Sequence, residues 1–125
     1  MSKTTKISPA RQLTRDERAL LAFLLAEDFP GRDELLAQLD RVTVCEEYGP
    51  GDPSIVLCFE QPPPLRAPIP RGIPVEAETP IEDEAQIHVL LHVVDGRLDE
   101  LELYRSNGGA LSLPSPGELR RYRLQ

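Results

Sequence analysis

An α+β fold, with two N-terminal helices packed on a four- or five-stranded, mainly antiparallel sheet, is what this sequence predicts. Three observations carry it. Leucines recur at helical spacing between Leu20 and Leu39, the apolar period drops to two from Val42 onward, and Asp95-Gly96 separates two apolar runs as a tight β-hairpin turn does.

The elements follow in order. Met1 to Ala10 lacks periodicity and reads as a mobile tail. Thr14-Arg15-Asp16-Glu17 has the form of a capping box, in which the Thr14 hydroxyl accepts from the Glu17 amide while the Glu17 carboxylate accepts from the Thr14 amide. It opens a helix from about Arg15 to Ala26 that presents Leu20, Leu21, Phe23, Leu24 and Leu25 and stops at Phe29-Pro30-Gly31. Asp33 to Leu39 reads as a second, short helix, with acids in its first turn.

Val42, Val44 and then Ile55, Leu57 and Phe59 alternate with more polar residues on either side of Gly49-Pro50-Gly51-Asp52-Pro53, which predicts a hairpin with a long turn. Centred between Gly51 and Asp52, that hairpin sets Cys45 opposite Cys58, as free thiols in a reducing compartment. Residues 62–74 hold six prolines, cannot donate a regular ladder, and read as a surface loop. A short strand over Val75 to Glu78 follows. Gln86 to Val94 is apolar on nearly both faces, as a central strand is. Its return strand, Leu98 to Arg105, keeps Leu98, Leu101 and Leu103 on one buried face only if an extra residue bulges near Asp99 or Glu100. Ala110 to Leu113 is a candidate last strand, and 115–125 a basic tail. The core expected from these phases is Leu20, Leu24, Val44, Leu57, Phe59, Val89, Leu91, Leu101 and Leu103.

With 125 residues, 40% apolar and 28% charged, the chain has the size and composition of one globular domain, here over residues 11–114. No apolar run is long enough to span a bilayer and the first eleven residues carry no secretory-type apolar segment, so a cytoplasmic location is expected. A formal net charge of −7 argues against nucleic acid as partner, because phosphate binding needs clustered Lys and Arg. The charge is uneven: from Gln12 to Tyr104 there are 20 acids against 7 bases, while the ends are basic. An acidic body steers basic partners.

Catalytic chemistry is sparse. His88 and His92 are the only histidines, and on a strand they lie about 13 Å apart, too far to share a metal ion. His92 facing Asp99 across the hairpin is the one pair suited to a general base. No serine sits in G-x-S-x-G, no cysteine pair has zinc-ligand spacing, and Gly49-Pro50-Gly51 joins strands, whereas a phosphate cradle leads into a helix. Neither a cofactor nor a metal is expected.

Arg11-x-Leu13-Thr14-x-x-Glu17, the Gln38-Leu39 helix end, and Leu91-His92-Val93-Val94-Asp95-Gly96-x-Leu98-x-Glu100-Leu101-Glu102 together resemble a family of small bacterial domains of unknown function, over about Arg11 to Pro114. The resemblance implies the fold and assigns no catalytic residue. The function read from the residues is a non-enzymatic protein-interaction module, of immunity or antitoxin type, that meets a basic partner at Glu76, Glu78, Glu82, Asp83 and Glu84. A homodimer formed through a sheet edge belongs to the same class. The alternatives are a small-ligand-binding domain and an enzyme using His92 and Asp99.

Overall fold

The structure, a computed structural model, describes residues 4–63, 65–80 and 85–123. Its elements are β1 (Thr5–Arg11), α1 (Arg15–Leu24), α2 (Arg32–Gln38), β2 (Val42–Glu47), β3 (Ile55–Phe59), β4 (Arg71–Glu78), β5 (Ile87–Val94), β6 (Arg97–Arg105), a 3-10 turn at Pro116–Glu118, and β7 (Arg120–Arg123). The class is α+β, two helices and an antiparallel sheet, but the sheet has seven strands, not four or five, in the order β1-β2-β3-β6-β5-β4-β7.

The extra strands come from segments whose composition hides them. Thr5–Arg11, expected to be a tail, pairs with β2, and Arg120–Arg123, expected to be another, pairs with β4. Edge strands need only backbone partners, so a polar, Pro-containing or Arg-rich segment qualifies, and those residues keep the edges from pairing further. β7 is also held by side chains: Arg121 donates to Glu27 at 3.2 Å and lies 4.8 Å from the Phe23 ring centre. β4 begins at Arg71, inside the expected loop, because an irregularity between Gly72 and Val75 absorbs Pro74, which has no amide to donate. Ala110 to Leu113 is not a strand. Leu111 and Leu113 instead pack against the core, and the Leu111 amide donates to Gly51.

The capping box at Thr14 forms as expected, with bonds of 3.1 and 2.9 Å. Arg11 adds two bonds of 2.9 Å to the same carboxylate, and so Glu17 can be buried at 6% exposure. Burial pushes the Glu17 carboxyl up, but the Arg11 hydrogen bonds and the Thr14 amide outweigh it and hold the group below its ordinary value.

On the inner face, Leu20, Leu21, Leu24, Leu25 and Leu35 meet alternate sheet residues: Val44, Ile55, Leu57, Val75, Ala77, Val89, Leu91, Val93, Leu98, Leu101 and Leu103. Of the expected core only Phe59 is merely half-buried, since β3 pairs with β6 through just Ile55↔Leu101 and Val56↔Glu100 and then diverges. Before that pair, the Ser54 hydroxyl accepts from the Leu103 amide at 2.8 Å and donates to the Leu103 carbonyl at 3.2 Å, continuing the ladder with a side chain. The β6 bulge falls at Asp99: His92 faces Glu100 while Val93 faces Leu98.

The β5–β6 turn is anchored from two sides. Asp95 and Gly96 have φ of 53° and 73°, the left-handed pair a type I′ turn needs. Gln38, 1% exposed, donates to the carbonyls of Leu65 and Gly96 and accepts from the Leu98 amide, each at 2.9 Å. The Pro-rich loop meets the same turn through Ala67 donating to Gly96 and Gly96 donating to Ile69.

Cys45 and Cys58 are free thiols on neighbouring strands but do not face each other. An irregularity between Val44 and Glu46 shifts the register, so Thr43 stands opposite Cys58. Burial, then the nearby Cys58 thiol, pushes the Cys45 thiol up to about 12.

Candidate functional site

The helices cover one face of the sheet. On the other, the outward side chains of β5 (His88, Leu90, His92 and Val94) are half-buried where their inward neighbours are buried. Cross-strand register arranges this face in rows: Glu78, His88 and Tyr104; then Glu76, Leu90 and Glu102; then His92, Glu100 and Val56. Four carboxylates thus occupy the centre of the face, with no Lys or Arg at the outward positions between them. Cations stand at its margins: Arg71 and Arg97 flank Val94 at the hairpin end, and Arg120 on β7 lies opposite Glu78.

The polar groups of the face are organised among themselves. His92 Nε2 lies 2.7 Å from Glu102 Oε1. The Tyr48 hydroxyl donates to Glu100 Oε2 at 2.8 Å, and burial together with that carboxylate raises the phenol above its ordinary value. The His88 ring stacks on Tyr104 with centroids 4.8 Å apart, its Nδ1 is 3.5 Å from Glu78 Oε2, and its Nε2 is 2.9 Å from Ser106 Oγ.

The expected general-base pair does not form as drawn: the carboxylate on His92 is that of Glu102. The bulge sets His92 opposite Glu100 and makes Asp99 the extra residue, so the contact passes to the next outward acid along β6. His92, Asp99 and Glu100 do share a shallow depression of about 330 Å³ with Arg71 and Gly72. Of the expected acidic patch, Glu76 and Glu78 lie on the outward side of β4, whereas Glu82, Asp83 and Glu84 fall outside the described residues. Among the described residues no group of three or more His, Cys, Asp or Glu is placed to hold a metal ion, and no helix is long and apolar enough to cross a membrane.

The arrangement of a cap at Thr14, a helix-end glutamine holding a turn, and a bulged hairpin spans residues that one family model also spans. That model, described as Domain of unknown function (DUF6984), matches residues 10–114. The chain belongs to this family. No curated protein and no solved structure matches it. Within the matched stretch lie the face residues that motif reading passed over: Tyr48, Glu100, Glu102, Tyr104 and Ser106. The signal for them is register. Once the Asp99 bulge is placed, His88 falls opposite Tyr104, and Ser106 comes to the His88 side of the turn without any motif around it.

Proposed function

We propose that this DUF6984 domain is a protein-interaction module that presents the open face of its sheet to a basic partner, in the manner of an immunity protein or antitoxin. The observation that carries the reading is the acid-centred face itself: Glu76, Glu78, Glu100 and Glu102 on three adjacent strands, beside the exposed ring of Tyr104. A charged face of one sign accelerates encounter with the opposite sign, and an aromatic ring adds contact area at small entropic cost. Binding is the role that such a charged face serves, and the acids of residues 82–84 extend the same charge in sequence.

The test is capture of a basic protein by the immobilised chain, compared across charge reversals. Glu100→Lys with Glu102→Lys should abolish capture and flatten its salt dependence, as should Glu82→Lys with Glu84→Lys. Asp33→Lys, on the helix side, should not. Equal capture by all four proteins at every salt concentration would refute the reading.

A further inference from the structure

Beyond this binding role, we propose that Ser106 is a nucleophile for acyl transfer from small carboxylic esters, with His88 as its general base and Glu78 positioning the imidazole. Glu78 lies on β4, His88 on β5 and Ser106 in the turn directly after β6, and their order in space is Glu78, His88 and Ser106, at 3.5 and 2.9 Å. The 2.9 Å contact sets a ring nitrogen where it can take the hydroxyl proton, and the Glu78 carboxylate, at ion-pair distance from the other nitrogen and not hydrogen-bonded to it, orients the ring electrostatically.

In the tautomer that carries its proton on Nδ1, the side nearer Glu78, the Nε2 lone pair faces Ser106 Oγ. The hydroxyl hydrogen then has two acceptors, His88 at 2.9 Å and the Gln86 carbonyl at 3.4 Å, and the nearer is the stronger. Ring rotation is restrained by the Tyr104 stack, with an interplanar angle of 18°. The Ser106 backbone is fixed by its amide donating to Gln86 at 2.8 Å, while the side chain is exposed. Next to it, an open depression of about 370 Å³ is lined by both polar and apolar residues, Asp52 and Arg105 with Tyr104, Ala110 and Leu111, with room for a small ester. His92, by contrast, has a carboxylate and no nucleophile, and Ser54 is buried with its hydroxyl committed to Leu103.

The step balances within the site and water. Ser106 Oγ bonds to the ester carbonyl carbon as its proton passes to His88 Nε2. The carbon–oxygen bond to the alcohol breaks, and the alcohol leaves with that proton. Water then attacks the acyl-serine, gives a proton to His88, and releases the carboxylic acid as Ser106 recovers it.

The experiment treats the full chain with a fluorophosphonate probe and with p-nitrophenyl acetate, reading the modified residue by peptide mass. Ser112, exposed and without a histidine partner, is the reference within the same molecule. The adduct should form on Ser106 and not on Ser112, and Ser106→Ala should abolish both labelling and ester turnover above buffer. His88→Gln should slow labelling roughly 100-fold, the low end of what a positioned base contributes. Glu78→Gln should lower the labelling rate at saturating probe while leaving the half-saturating concentration and the melting midpoint unchanged. Equal labelling of Ser106 and Ser112, or wild-type ester turnover by Ser106→Ala, would overturn the proposal.

Discussion

Replacing Gln38 by methionine keeps nearly the same volume in the core and removes three hydrogen bonds at once. The amide side chain serves the carbonyls of Leu65 and Gly96 and the amide of Leu98. These three acceptors and donors are not equal. The Gly96 carbonyl keeps a second partner in the Ala67 amide, whereas the Leu98 amide is left buried without an acceptor. An orphaned buried donor costs about 1–3 kcal/mol, and each lost bond whose partner is resatisfied about 0.5–1.5 kcal/mol. Gln38→Met should therefore destabilise by roughly 2–6 kcal/mol, a large part of the 5–15 kcal/mol typical of such a domain. Urea unfolding at constant m-value measures it. Gln38→Glu sharpens the test: it keeps an acceptor for Leu98 but turns a carboxylate toward two carbonyls, so it should be less stable than Gln38→Met at pH 7 and recover on acidification, when the protonated acid can donate. A loss below about 0.5 kcal/mol for Gln38→Met, the range of ordinary surface substitutions, would refute the view that this residue holds the turn.

Further outcomes follow from the same contacts. Gly96→Ala would place a Cβ 2.5 Å from the Ala67 carbonyl at a φ of +73°, so it should lower stability by more than about 2 kcal/mol in the same assay, and a change under 1 kcal/mol would contradict the close approach. Leu91→Ala should cost about 2–5 kcal/mol through a cavity in the sheet–helix core; calorimetry reads it, and a loss like that of an exposed residue would contradict the burial. Glu17 has a folded pKa below its unfolded one, so its stabilisation is fully present above about pH 5 and is lost as pH falls through the folded value. Unfolding free energy should therefore fall less steeply with acid in Glu17→Gln than in the parent, and coincident slopes would count against the buried pair. Cys45, pushed up to about 12, should alkylate far more slowly at pH 7.5 than a free cysteine, as timed by mass spectrometry; reaction at the free-thiol rate would show that it is not shielded.

What was legible in the sequence was whatever the apolar period or a turn dipeptide encodes. The capping box, the Asp95-Gly96 turn and the Asp99 bulge follow from spacing, because one residue out of phase would put leucines in water. β1 and β7 were not legible, since an edge strand is recruited by a neighbour's backbone and its own side chains need show no alternation. For the candidate site the failure was one of distance. His88 and His92 were visible as residues, but their partners Ser106 and Glu102 lie 18 and 10 positions away, fixed by register and not by any local motif.

Where β3 meets β6, only two residue pairs carry the ladder between β1-β2-β3 and the four strands beyond, helped by the Ser54 hydroxyl and the Tyr48–Glu100 hydrogen bond. Cohesion across the sheet is therefore anisotropic. β5 and β6 pair over eight positions and β2 and β3 over five, so each half is internally far better bonded than the two are to one another. Fluctuations should concentrate at this suture, parting the halves before either one frays. Such a parting would let β1, β2 and β3 exchange their amide hydrogens as a block while the amides of β5 and β6 stay protected until global unfolding. Ser54→Ala, by removing one stitch, should speed exchange throughout β1, β2 and β3 together.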